Sequence, residues 1–116
     1  MPAVRKNPLK LNKLQCKTLA ILQELARDPG ITRRDEASGG TQITAIPAPH
    51  GDHFHVGARV VLARDATGLA NQGVWLALVR KGLASSAAFP HTIALTPAGL
   101  GYDTGVAESI LYQTGH

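Results

Sequence analysis

Three of the five histidines fall within six residues, His50-Gly51-Asp52-His53-Phe54-His55, with a carboxylate among them. Imidazole nitrogens and carboxylates are ligands of first-row transition ions. If Phe54 lies in a strand, His53 and His55 leave from one face, close enough to share a metal. His50 or Asp52 would then supply a third ligand from the preceding turn. Zinc takes three or four protein ligands, and the only thiol, Cys16, is distant in the chain. The chain therefore calls for no cofactor, and zinc at His50, His53 and His55 is its one metal candidate. The alternative is a solvent-facing hairpin whose imidazoles bind nothing.

Other chemistry finds less support. Cys16 sits among the apolar residues of an expected helix and reads as structural. Ser85, Ser86 and Ser109 have no base beside them in sequence. Gly99-Leu100-Gly101 lacks the third glycine and the preceding strand of a dinucleotide fingerprint, and there is no phosphate-binding loop motif. Asp35-Glu36 is an adjacent acidic pair in an expected loop, suited to solvent. The expectation is a protein that is not an enzyme.

The chain has 116 residues, 44% of them apolar, 17% charged and 4% aromatic. That composition indicates one folded domain over 1–116 with an aliphatic core. A single cysteine excludes an internal disulfide and fits a reducing, cytoplasmic location. No apolar run reaches the ~18 residues a membrane span needs, so no membrane partner is expected. Net charge is +4, unevenly spread: residues 1–34 hold eight of the twelve basic side chains and 85–116 hold none. Such asymmetry marks either a phosphate-facing surface or a solvated basic helix face.

Asn7-Pro8 predicts a helix start. Leu11, Leu14, Thr18, Ile21, Leu22 and Leu25 then recur at helical spacing, with Lys10, Lys13 and Lys17 on the other side. Asp28-Pro29-Gly30 should end that helix. Residues 1–7 and 31–41 read as flexible. Gln42–Ile46 alternates as a strand, Pro47–Asp52 is turn material, and Phe54–Leu62 returns as the second strand of a hairpin with Gly57 at a bulge. A rival reading makes Ala58–Asp65 a short helix. Asp65 or Thr67 caps a further helix with Leu69, Val74, Leu76, Ala77, Leu78 and Val79 inward, stopping at Gly82. Thr92–Leu95 reads as a strand, Thr96-Pro97 as a cap and first turn, and Val106–Tyr112 as a last helix, capped by Asp103 or Thr104 and ended by Gly115. Trp75, the only tryptophan, is either a packing residue or an exposed anchor for a partner.

The order from Val74 to Tyr102, VWLALVRKGLASSAAFPHTIALTPAGLGY, resembles the back half of winged helix-turn-helix domains. There a recognition helix runs into a "KGL" corner, a β-wing follows, and "LTxxG" leads into the last helix. The resemblance covers about a quarter of the chain. It implies an α+β winged-helix fold: an N-terminal helix, a β-hairpin, a recognition-type helix, a short wing and a C-terminal helix. It also implies a small DNA-binding or transcription-regulatory module acting on double-stranded DNA, with a homodimer as a further expectation. Asn71 and Gln72 would then read bases, since both side chains can pair bidentately with adenine. Arg80, Lys81, Lys10, Lys13 and Lys17 would meet phosphates. The chain departs from the pattern at the wing, Ala84–His91, which carries no Lys or Arg. Gly73 is also a weak helix former for a docking helix. Winged helices serve as protein-interaction modules too, here through the face around Trp75 and Phe89. The His53-Phe54-His55 triplet is similar to the HxH of cupins, but the glutamate expected soon after it is missing.

Overall fold

The first helix, α1 (Lys13–Leu25), starts at Asn12 rather than Asn7. In this computed structural model, which describes residues 6–113, the Asn12 side chain accepts from the Gln15 N–H at 2.8 Å. The Gln15 side chain accepts in return from the Asn12 N–H at 3.0 Å. This reciprocal capping box satisfies two orphan donors of the first turn and decides the start. Asn7 is used otherwise. With φ of 52°, it grips Leu11 from both sides, its amide donating to the Leu11 carbonyl and its oxygen accepting from the Leu11 N–H. Lys10 therefore lies in the turn before α1. Asn7 is also tied to the far end of the chain: its N–H donates to the Asp103 carbonyl and its side chain accepts from the Tyr102 hydroxyl, both at 2.6 Å. Of the segment expected to be flexible, residues 1–5 lie outside the described residues.

Helix α1 buries Cys16, Leu19, Ile21, Leu22 and Leu25, and ends with Ala26 as its C-cap. Asp28 caps a 3-10 turn, Pro29–Ile31, which leads into β1 (Thr32–Arg34). The expected loop over 31–41 thus holds a strand. It pairs antiparallel with β2 (Thr41–Ile43), Thr32 opposite Ile43. A tight turn joins the two, in which Gly39 donates to the Asp35 carbonyl and Asp35 to the Gly40 carbonyl.

The expected hairpin between Gln42–Ile46 and Phe54–Leu62 does not form. Residues 53–62 fold on themselves instead, as β3 (His53–Val56) and β4 (Arg59–Leu62), with His53 opposite Leu62 and Val56 opposite Arg59. Gly57 is not a bulge. It takes φ of 59° in the two-residue turn between them, a conformation glycine enters at no steric cost. Two 3-10 turns, Ala63–Asp65 and Thr67–Ala70, follow, and only then α2 (Gln72–Arg80), capped by Asn71.

Strands β5 (Ala84–Ala88) and β6 (Thr92–Leu95) form the next hairpin, with Ser85 as an extra residue in the ladder. Two short helices, α3 (Pro97–Leu100) and α4 (Ala107–Ile110), close the chain before β7 (Tyr112–Gln113). The last helix is shorter than expected because Tyr112 pairs with Val60 as a strand. Thr104 accepts from the Val106 N–H and Asp103 from the Gly105 N–H. Gly115 lies outside the described residues.

The outcome is an α+β fold with four helices and two antiparallel sheets among the described residues, ordered β1-β2-β6-β5 and β3-β4-β7. Leu19, Ile21, Leu22 and Leu25 of α1 join Ile43, Val56, Val61, Trp75, Leu78, Ile93 and Leu95 in one buried cluster. Helix α1 packs on α2 and on the Thr67–Ala70 turn. Gly68 permits the latter approach, for a Cβ there would overlap the Thr18 hydroxyl. Among the described residues no helix is long and apolar enough to cross a membrane.

Candidate functional site

The KGL and LTPAG segments meet in space. Gly82 turns the chain out of α2 with φ of 77°, and Leu83 is buried behind it. Thr96 locks this corner with two bonds: its hydroxyl donates to the Gly82 carbonyl at 2.7 Å and its N–H to the Leu83 carbonyl at 3.1 Å. The same hydroxyl accepts from the Gly99 N–H as the cap of α3. Gly99 sits so close to Leu83 that a Cβ would overlap the Leu83 carbonyl oxygen. Gln23 of α1 completes the joint, its amide donating to the carbonyls of Gly99 and Tyr102, each at 2.8 Å. The corner therefore fixes the end of α2 against the β5–β6 hairpin and against α1.

On α2 itself, Gln72, Leu76 and Arg80 are exposed. They lie four residues apart, on one side of the helix. Leu76, expected in the core, is 46% exposed, whereas Trp75 is fully buried. Trp75 packs edge-on against Phe89 at 5.0 Å between ring centres, so it is a packing residue and not an exposed anchor. Its indole N–H has no partner among the described residues.

The expected phosphate and base contacts separate into groups. Gln72 opens α2, Arg80 ends it and Lys81 is its C-cap residue, all three exposed. Asn71 is committed locally: its side-chain oxygen accepts from the Val74 N–H at 3.2 Å, which leaves its amide NH2 alone for a ligand. Lys10 and Lys13 are exposed and in no ion pair among the described residues. Lys17 is engaged, its ammonium 2.7 Å from the Asp65 carboxylate, with both side chains largely covered. It ties α1 to the turn before α2.

The histidines do come together. His53 and His55 share a face of β3, and an isolated bridge, with the His50 N–H donating to the His53 carbonyl at 2.7 Å, brings His50 alongside. Ring centres lie 5.6 Å apart for His50–His53, 5.5 Å for His50–His55 and 5.0 Å for His53–His55. The Asp52 carboxylate is 3.2 Å from Nδ1 of His53. The rings meet at steep angles, and among the described residues no three His, Cys, Asp or Glu side chains are disposed as they stand to hold a metal ion. Cys16, expected to be structural, is buried, and burial pushes its thiol pKa up, the reverse of what activates a nucleophile.

Comparison with known proteins finds no family model, no curated protein and no solved structure that matches this chain. The function must be read from the chain's own surfaces.

Two features escaped the sequence reading. Asp35, read as solvent-facing, accepts hydrogen bonds from Ser38 and Ser85, each at 2.6 Å, and so fastens the β1–β2 turn to strand β5. No signal in the sequence joins positions fifty apart. The second is the apolar hollow of about 470 Å³ beside the β5–β6 hairpin, walled by Pro47, Pro49, Phe54, Leu69, Phe89 and Pro90. The prolines at 47 and 49 marked a turn, not a wall.

Proposed function

We propose that this chain is a DNA-binding module of winged-helix type, with α2 as the helix that enters the major groove. The order of elements carries the reading: α2 feeds straight into the β5–β6 hairpin, which joins β1 and β2 in the sheet β1-β2-β6-β5, and α3 follows. A recognition-type helix, a short wing and a further helix are what the resemblance to winged helices implies, while β3–β4 and two 3-10 turns stand where the longer hairpin was expected. The uncovered stripe of α2 supports it at the level of chemistry. Gln72 can pair with adenine, Leu76 can meet a thymine methyl, and Arg80 with Lys81 can reach phosphate. Gln72 replaces Asn71 as the main base reader, because the Asn71 oxygen is spent on the helix cap. Lys13 and Lys10 are the further phosphate contacts, while Lys17 is held by Asp65.

The test is an amide-resolved NMR titration of the chain with a random-sequence DNA duplex at low salt. Shifts concentrated on Gln72–Lys81 and fading as salt rises are the expected outcome, with binding weakened in Arg80→Ala. A spectrum that does not move removes the DNA reading. It would leave the exposed Leu76 face as a protein-binding surface, the alternative that winged-helix architecture also allows.

A further inference from the structure

The histidine triangle does not belong to the α2 surface, and its geometry points to a second site: His50, His53 and His55 together bind one divalent transition-metal ion of the zinc type. The backbone already does most of what such a site requires. Two imidazoles project from one face of β3, and the His50–His53 bridge delivers the third to them. With metal–nitrogen bonds of about 2.0–2.1 Å, each ring centre sits about 3.2 Å from the ion, so tetrahedral angles place ring centres about 5.2 Å apart. The three observed separations, 5.0, 5.5 and 5.6 Å, bracket that value.

What the present rotamers lack is the aim of the nitrogens, since no three side chains converge as they stand. His50 and His55 are exposed and His53 is half-buried. Exposed rings turn about their side-chain torsions within nanoseconds, without moving the backbone that spaces them. A second observation points the same way. Asp52 contacts Nδ1 of His53, the carboxylate–imidazole pairing that fixes a ligating ring and leaves Nε2 free for the ion. Three imidazoles suit Zn²⁺, Ni²⁺ or Cu²⁺ better than Mg²⁺ or Ca²⁺, which prefer oxygen. Water completes the coordination. The bound ion would clip the Pro47–Asp52 turn to the β3–β4 sheet.

The experiment is a calorimetric titration of the full chain, prepared without a polyhistidine tag and stripped with chelator, with zinc sulfate. One ion per chain is expected, with NMR shifts confined to residues 50–62. The His53→Ala/His55→Ala double variant should lose the ion, and His50→Ala should lose it or bind at least about tenfold more weakly. Asp52→Ala should weaken binding by about tenfold, and His91→Ala should leave it unchanged. Dispersed NMR spectra verify that each variant is folded. Because His50 lies in the turn ahead of β3, its variant tests the site even if the double variant unfolds. No zinc uptake, or the same stoichiometry and affinity in His50→Ala and the folded double variant, overturns the site.

Discussion

Asp35 receives two hydroxyl hydrogen bonds, and these hold its carboxyl below the usual aspartate range, the bond from Ser38 contributing most and that from Ser85 next. In the unfolded chain neither donor is positioned, so the carboxyl returns to its ordinary value. A group whose folded pKa is depressed adds stability above the unfolded pKa and loses it as the pH falls through the folded one. Ser85→Ala removes one of the donors. It should lower the thermal midpoint slightly at pH 7, and the gap from the parent should close as the pH drops through the acid range below about 4. A gap that is constant from pH 7 to pH 3 would show that Ser85 acts through packing and not through the carboxylate. Asp52 offers a contrast. It is 94% exposed beside His53, so its contribution to stability is small, and its value lies in orienting a ring.

At the scale of elements, the corner between α2, β6 and α3 explains why one motif was readable and others were not. Gly82, Thr96 and Gly99 each have a local reason to be what they are: a left-handed turn, a cap, a close approach. Such residues mark their positions in the sequence itself, and the expected strand Thr92–Leu95 and the cap at Thr96-Pro97 stand where they were expected. The inward face of α1 was legible for the same reason, since helical spacing is a local property. Pairing is not local. Closeness in the chain made Gln42–Ile46 and Phe54–Leu62 partners in a hairpin, whereas β2 pairs with β1 and with β6, the latter some fifty residues on. Asn7-Pro8 marks a helix start by residue type alone, but the reciprocal bonds of Asn12 and Gln15 place the start five residues later. The candidate sites follow the same rule. The i, i+2 spacing of His53 and His55 was readable, but the bridge that adds His50 was not. Basic residues were readable, but not that Asp65 holds Lys17. The corner carries its own prediction. Gly99→Ala should cost about 1–3 kcal/mol, because the clash is with backbone that cannot turn aside. For a domain of this size that lowers the thermal midpoint by roughly 5 °C or more, measurable by circular dichroism. A midpoint unchanged within a degree would mean that α3 can move away from Leu83 freely, and that the corner does not set the angle of α2.

For the whole molecule, the distribution of charge bounds how it can meet DNA. The net charge is only +4, and much of the basic surface is committed or far from α2 in sequence. Lys17 pairs with Asp65, Arg27 with Glu24 and Arg34 with Glu36, and the β5–β6 hairpin contributes no Lys or Arg. On the proposed reading, Arg80, Lys81, Lys13 and Lys10 are the phosphate contacts. Each phosphate neutralised on duplex DNA releases counterions worth about −0.9 in the slope of log K against log salt, so four contacts give a slope of about −3.6. Proteins with a basic wing or arm make more contacts and fall more steeply. Fluorescence anisotropy with a labelled duplex, from low to physiological salt, measures this directly. The parent slope should be near −3.6, and the Arg80→Ala/Lys81→Ala variant should flatten it to about −1.8. Lys13→Glu should weaken binding while leaving the thermal midpoint unchanged. Lys17→Glu should instead lower the midpoint, because it sets a second carboxylate against the largely covered Asp65. A much steeper parent slope, unaltered in the double variant, would move the interface away from α2 to another basic face such as β1, whose Arg33 and Arg34 are exposed. The sheet order would then still describe the fold, but α2 would not be the helix that reads DNA.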